Sequence, residues 1–295
     1  MKKIRIASRS SKLALWQANF VGQMLDCEYE IIEVSTGGDK NLDVSISQLA
    51  GTGAFVKEVQ VAVLENKADI ACHSAKDLPS ITPEGLELVA VPVRGDVRDV
   101  LIGSTLEDLK YGARIGTGAV RRRAQLCALR PDLQFGELRG NIETRISKAK
   151  DFDAIVLANV ALQRLGLTEH VSEVLSIHTM LPQVAQGALA VEARSDDIDT
   201  KEILNKINNR DAFNCVNAER AFLAELGGGC SIPCGAYAIP IDSQNLWLRV
   251  MLAEPRGRTI AHAEIKGSNP SQIGKEVADD LLKNKGGQEI LEMVI

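Results

Sequence analysis

Cys230 stands where a thiol could do chemistry. It follows Gly227, Gly228 and Gly229 at the end of a helix-like run over 217–226. A backbone without Cβ enters left-handed conformations and lets another surface come close. The thiol is therefore expected on an open, mobile loop tip, where a thiolate could attack or carry a group. The plainer alternative is a small buried hydrophobe, the usual fate of a free cysteine. A metal held by Cys230 and Cys234 would need a second ligand pair nearby in sequence; none is there, and no metal site is expected. Lys76 and Asp77 lie in the run His73-Ser74-Ala75-Lys76-Asp77-Leu78-Pro79. They read either as an exposed ion pair of little worth before a proline, or as a working pair. In the second reading Lys76 binds an anionic group, and Asp77 accepts N–H bonds or stabilises a developing cation. His73 reads as a packed, structural histidine.

Arginines recur at strand-to-helix turns: Arg9 beside Ser11, Arg121 and Arg122 after Gly116-Thr117-Gly118-Ala119, and Arg139 with Arg145 around Gly140-Asn141. Helix N-termini present free N–H groups and a positive dipole end, which suit carboxylates and phosphates. Arg9 and Ser11 could equally be a surface arginine beside a plain N-cap. Arg121, Arg122 and Arg123 could be a solvated helix face or a nucleic-acid patch. The recurrence of such turns in an acidic chain points instead to a cleft for a molecule with several carboxylates or phosphates.

These residues need a scaffold that gathers strand ends. Alternation predicts strands at 3–7, 29–34, 68–72 and 86–93, and helical spacing predicts helices at 12–25 and 55–67. The polar stretch 40–53 reads as a flexible loop or lid. The polar segment 94–99 reads as a hinge into a second domain, where strands near 114–119, 133–138 and 154–158 are each followed by a helix carrying arginine. A loop runs into a strand over 181–192, and helices at 199–208 and 211–226 lead to the cysteine loop. Three β-like segments (235–239, 246–252, 259–265) and helices from 271 make a small α+β domain. Strands alternating with helices imply a largely parallel sheet, which takes its ligands at the C-terminal strand ends.

With 295 residues, 45% hydrophobic and 25% charged, the chain reads as an ordinary soluble globular protein with room for more than one core. No run approaches the ~18 apolar residues that cross a bilayer. The opening Met1-Lys2-Lys3-Ile4-Arg5-Ile6 enters a strand rather than a signal peptide, so a cytoplasmic location and no membrane partner are expected. Six cysteines are too sparse for a disulfide scaffold and should be reduced thiols. A net charge of -5 and 4% aromatics argue against nucleic acid as a partner.

Several stretches taken in order carry a resemblance: Ser8-Arg9 with Leu13-Ala14-Leu15-Trp16-Gln17-Ala18, Phe55-Val56-Lys57-Glu58, the His73 to Pro79 run, Arg121-Arg122, Leu138-Arg139-Gly140-Asn141, Arg164-Leu165-Gly166, Gln186-Gly187-Ala188, Asn217-Ala218-Glu219-Arg220-Ala221 and Gly228-Gly229-Cys230. Together they resemble the porphobilinogen deaminase family, also called hydroxymethylbilane synthases, over essentially the whole chain. The resemblance implies an α/β fold: two lobes like those of type II periplasmic binding proteins, with mixed, largely parallel sheets and the active cleft between them, plus a small C-terminal α+β domain. Domain 1 would be 1–93 with 184–208, domain 2 94–183 and domain 3 209–295. It implies a dipyrromethane cofactor on Cys230 through a thioether, and stepwise condensation of four porphobilinogen molecules with loss of ammonia. By the same resemblance Asp77 is catalytic, and Lys76, Thr117, Arg121, Arg122 and Arg145 bind the cofactor. Arg9, Ser11 and Arg139 bind the incoming ring, and the enzyme is a monomer.

The family commonly has Gly-Thr-Ser-Ser-Leu-Arg-Arg where this chain has Gly116-Thr117-Gly118-Ala119-Val120-Arg121-Arg122, so two hydroxyls are missing. Ala75 replaces a usual Met, Thr52 and Ala54 alter the end of the lid, Asn159 and Ala161 replace small residues, and Ala185 stands where glycine usually precedes Gln186-Gly187. The rival reading is a non-catalytic paralogue or a two-lobed binding protein for a small polycarboxylate. Asp77 and Cys230 weigh against it, since a pure binding protein has no use for a thiol on a glycine loop.

Overall fold

The computed structural model describes residues 2–35, 56–227 and 232–294. In chain order its elements are β1 (Ile4–Arg9), α1 (Lys12–Met24), β2 (Tyr29–Val34), α2 (Lys57–Leu64), β3 (Ile70–Ser74), β4 (Leu86–Ala90), β5 (Asp99–Ile102), β6 (Arg114–Gly116), α3 (Val120–Leu129), β7 (Gln134–Gly136), α4 (Ile142–Ser147), β8 (Ala154–Ala158) and α5 (Asn159–Leu165). They continue with β9 (Glu173–Val174), β10 (Leu189–Arg194), α6 (Ile198–Asn205), α7 (Arg210–Glu225), β11 (Cys234–Pro240), β12 (Leu246–Ala253), β13 (Ile260–Gly267), α8 (Pro270–Asn284) and α9 (Gly287–Glu292). The chain divides into two compact units, Met1–Gly95 with Gly187–Asn214, and Asp96–Gln186 with Cys215–Ile295.

The first unit is built on a five-stranded sheet in the order β2-β1-β3-β10-β4. β1 runs parallel to β2 and β3, while β10 lies antiparallel to β3 and β4. Helices cover both faces, which is why its central strands are apolar on both sides. On one face Ala18 and Val21 of α1 pack on Ile4, Ile6, Ile70 and Cys72. On the other, Val59, Ala62 and Val63 of α2 pack on Ala7, Ala71 and Leu86. Each valine, leucine or isoleucine among these, taken from water, contributes roughly 1.5–3 kcal/mol before entropy is counted, and each alanine methyl about 0.8 kcal/mol.

The second unit repeats the plan with the order β7-β6-β8-β5-β9, in which β6, β7 and β8 are parallel and β5 is reversed. Leu101, Ile115, Leu126, Val156 and Met180 fill one face, and Val100, Leu138, Ile155, Leu157 and Leu162 the other. The expectation of α/β lobes with mixed, largely parallel sheets holds, because in each sheet one strand alone runs against the rest. The same unit includes an antiparallel sheet, β11-β12-β13. Against it lies α8, which buries Ile273, Val277, Ala278 and Leu281 and starts from Asn269, whose side chain accepts the Gln272 N–H. Ala124 and Leu181 pack on Met251 and Ala253 of this sheet. Gly257, at φ +66°, turns so close to the Ala124 carbonyl that a Cβ would collide with it.

The segment 94–99, expected as a hinge, includes the first residue of a strand. Asp99 opens β5, a four-residue strand too short to show a period. The lid assigned to 40–53, with Thr52 and Ala54, and the loop tip bearing Cys230 lie outside the described residues. Among the described residues no helix is long and apolar enough to cross a membrane.

Candidate functional site

In the first unit the expected site residues gather at one edge of the sheet. β1 and β3 are parallel neighbours, with Ile6 opposite Ile70 and Ala7 opposite Ala71, so Arg9 and the residues after Ser74 emerge from the same C-terminal edge. Ser11 caps α1 there: its Oγ accepts the Ala14 N–H at 3.3 Å. The plain N-cap reading of Ser11 is thus met, and its hydroxyl hydrogen still leaves it a donor. Three contacts fix the turn after β3. Gln17 Nε2 donates to Ser74 Oγ at 2.8 Å, the Ala75 N–H to the Ala188 carbonyl at 3.0 Å, and the Leu78 N–H to the Ala75 carbonyl at 3.3 Å. Ala75–Asp77 forms a single 3-10 turn, with Lys76 and Asp77 both half-buried. Among the described residues the Asp77 carboxylate makes no hydrogen bond or ion pair. The Lys76–Asp77 pair admitted by the sequence therefore does not form. His73 is buried, its Nε2 3.2 Å from Glu192 Oε2, and Gln60 Nε2 donates to the same oxygen at 2.9 Å.

The second unit gathers its residues in the same way, after the C-terminal ends of the parallel strands β6 and β7. The turn after β6 is held by Thr117, which is buried. Its N–H donates to the Gly136 carbonyl at 3.0 Å and its Oγ1 accepts the Ala119 N–H at 3.2 Å. α3 then starts at Ala119 with no side-chain cap. Arg121 and Arg122, 4% and 6% exposed, converge on Asp99, which is fully buried. Arg121 Nη2 donates to Asp99 Oδ2 at 2.7 Å, and Arg122 Nη2 to Oδ1 at 2.8 Å. Gln186 Nε2 donates to the same Oδ1 at 3.0 Å and to the Val97 carbonyl at 2.7 Å. Arg121 Nη1 also reaches the Leu181 carbonyl, and Arg122 Nη1 the Val156 carbonyl at 3.0 Å. Burial alone would raise the Asp99 carboxyl, but Arg121 and Arg122 hold it well below the usual carboxylate range. Burial pulls Arg121 down, against the Asp99 charge. Two guanidiniums around one carboxylate leave a buried cluster one charge positive. Arg145 Nε donates to the Gly140 carbonyl at 2.7 Å, and Asn141 caps its helix by accepting the Thr144 N–H at 2.8 Å. Arg139 is within 3.5 Å of Glu137, and its carbonyl accepts Lys148 Nζ at 3.2 Å.

The structure thus assembles Arg9, Ser11, Lys76 and Asp77 in one unit, and Thr117, Arg121, Arg122, Arg139 and Arg145 in the other. Asp99 was missed in the sequence. The sequence carried no signal for it, because Asp99 closes a polar segment and opens a four-residue strand too short to show a period. Comparison with known proteins decides the family. Residues 4–202 match the profile "Porphobilinogen deaminase, dipyromethane cofactor binding domain", and residues 213–283 match "Porphobilinogen deaminase, C-terminal domain". The chain belongs to the porphobilinogen deaminase family. The porphobilinogen deaminase of Oceanobacillus iheyensis is 42% identical over 305 residues, covering 100% of this chain and 98% of that protein. That of Syntrophomonas wolfei is 45% identical over 303 residues, covering 99% and 98%. Among solved structures, the periplasmic VFT2 domain of Bordetella pertussis BvgS aligns over 74% of this chain and 90% of its own, at 16% identity and a TM-score of 0.40. Membership of the porphobilinogen deaminases makes the protein a transferase-type enzyme of tetrapyrrole biosynthesis that binds a dipyrromethane cofactor and a small porphobilinogen-like substrate.

Proposed function

We propose that the protein joins four porphobilinogen molecules into linear hydroxymethylbilane, starting from a dipyrromethane bound by a thioether at Cys230. In each step the C–N bond of an aminomethylpyrrole breaks and a C–C bond to the terminal ring of the chain forms. The ring proton leaves with the amine as ammonium. Overall, four porphobilinogen molecules and one water give one hydroxymethylbilane and four ammonia, the water's hydroxyl ending on the terminal methylene carbon. The residues present fit a carboxylate-bearing group. The Asp99 cluster is one charge positive, and α3 begins without a side-chain cap, so its first N–H groups have no acceptor within the helix. When bound, dipyrromethane supplies the nucleophilic pyrrole carbon. Lys76, Thr117, Arg121, Arg122 and Arg145 hold its carboxylates, and Arg9, Ser11 and Arg139 hold those of the incoming ring. Bidentate guanidinium pairing suits both tasks.

One observation carries the catalytic assignment. Asp77 is a half-buried carboxylate at the end of a sheet strand, and no group among the described residues satisfies it. Such a group is available for pyrrole N–H donors and for the positive charge that develops as ammonia departs. Segment 209–295 acts as a third, cofactor-bearing domain in this reading, and the enzyme works as a cytoplasmic monomer without nucleic-acid or membrane partners. The test is the intact mass of the purified protein. An increment of two linked pyrrole units, mapped to the Cys230 peptide and absent in Cys230→Ala, is expected. Cys234, which opens β11 at 5% exposure, should remain unmodified. An adduct on Cys234, or none in active protein, overturns the proposal.

A further inference from the structure

Glu219 lies in the stretch Asn217-Ala218-Glu219-Arg220-Ala221, to which the chemistry above gives no task. It sits on α7 and is completely buried. A carboxylate taken from water costs several kcal/mol unless hydrogen bonds replace its hydration, so the donors that reach it deserve an account. Glu219 Oε1 accepts the Ala238 N–H of β11 at 2.8 Å. Glu219 Oε2 accepts the Ala185 N–H at 2.6 Å, the short distance of a charge-assisted bond.

Ala185 is unusual in its own right. Its φ is +59°, and among the described residues Asn66 alone shares a positive φ without being glycine. For an L-residue that conformation costs roughly 1–2 kcal/mol and persists only where the surroundings hold it. The bond from Glu219 is such a hold. The next residue is Gln186, also completely buried, whose Nε2 donates to the Val97 carbonyl and to Asp99 Oδ1. Asp99 in turn clamps Arg121 and Arg122. Every group in this series lies in the second unit.

We infer that Glu219 is a positioning residue for the arginine pair: it fixes Ala185 in its left-handed turn, and the turn seats Gln186 on Asp99, which aims Arg121 and Arg122. The inference rests on the reading that those arginines hold the cofactor carboxylates. It also explains why an alanine is tolerated at 185. The carboxylate supplies the constraint that a glycine would make unnecessary.

The experiment measures cofactor loading, as the fraction of chain bearing the dipyrromethane increment in intact mass after apoprotein is incubated with porphobilinogen, beside thermal melting. Glu219→Gln turns an NH2 group toward one of two backbone N–H donors. Its initial loading rate is expected to fall at least tenfold. Adding Ala185→Gly, which needs no hold at positive φ, should bring loading back to within about threefold of wild type. No restoration by glycine would mean that Glu219 merely ties α7 to β11 through Ala238, and overturns the inference. Wild-type loading by Glu219→Gln overturns it too. If Glu219→Gln does not fold, Gln186→Met serves instead. It keeps the volume but removes the amide that reaches Asp99, and the same tenfold loss is expected, with wild-type loading refuting. Arg122→Leu separates the layers of the argument. If it loads normally, the reading of the arginines has failed; if it fails to load while Glu219→Gln loads as wild type, only the role of Glu219 is wrong.

Discussion

The Asp99 cluster makes the sharpest energetic prediction. Asp99→Asn keeps the shape of the side chain and removes its charge, so Arg121 and Arg122 face each other across a neutral amide whose NH2 cannot accept. In the wild type Asp99 takes bonds from Arg121 at 2.7 Å, from Arg122 at 2.8 and 3.2 Å and from Gln186 at 3.0 Å, with no solvent contact. Breaking a buried pair by neutralising one partner costs about 3–5 kcal/mol, because the other charge stays buried and uncompensated. For a unit of this size each kcal/mol moves the melting point by about 2–4 °C, so a fall of roughly 6–20 °C is expected. The melts belong in a Cys230→Ala background, where no cofactor carboxylate can stand in for the missing anion. A double-mutant cycle with Arg122→Met should show that the paired change costs less than the sum of the two, by about 0.5–3 kcal/mol. A fall below about 2 °C for Asp99→Asn, or strict additivity, would show that the guanidiniums are solvated and that the buried excess charge is not real.

Two further outcomes follow from other groups. Asp77→Asn should fold and accept the cofactor yet release ammonia from porphobilinogen at least on the order of a hundredfold more slowly, the usual scale for losing one preorganised electrostatic group. Wild-type ammonia release by the cofactor-loaded variant would remove Asp77 from the chemistry, and Asp77→Glu would show whether charge or placement dominates. In the first unit, burial alone would raise Asp69, but Arg5, through Nε and Nη2 at 3.1 and 3.0 Å, and Lys2 at 3.2 Å hold it at about 2. A folded value below the unfolded one of about 3.9 means that its stabilisation is complete above pH ~4 and is lost as pH falls toward 2. Both cations are partly exposed, so the pair is worth about 1–2 kcal/mol after screening. The melting-point gap between wild type and Asp69→Asn should therefore be full at pH 7 and close below pH 4; a gap independent of pH would refute the assignment.

Elements with long, regular patterns were legible in the sequence. β2 was expected at 29–34 and is found there, and α1, expected at 12–25, ends one residue sooner. The apolar residues of these segments recur at the period of their own structure, so local information suffices. β5 and β9 were not legible, because strands of four and two residues carry no period and exist only through their neighbours β8 and β5. The reversal of β10 within its sheet is likewise a tertiary fact, fixed by pairing with β3 and β4.

The Asp99 cluster was legible in its arginines and illegible in its wiring. Arg121 and Arg122 could be nominated from the turn before them, but their counter-ion lies more than twenty positions away in a segment that reads as hinge. The departures at Gly118 and Ala119 show what the wiring adds. Read alone, two missing hydroxyls weaken an anion site. In the folded chain Thr117 Oγ1 takes the Ala119 N–H, and no side chain caps the helix behind it. The first N–H groups of α3 are then not consumed by an internal acceptor, and an uncapped N-terminus keeps both its donors and its dipole for an incoming carboxylate. The lost serines remove side-chain donors while leaving backbone donors in place beside a cluster one charge positive. If the proposed cofactor-binding role of Arg121 and Arg122 holds, the buried arginine pair, held by Asp99 and Gln186, bears more of the binding than in a chain with both hydroxyls.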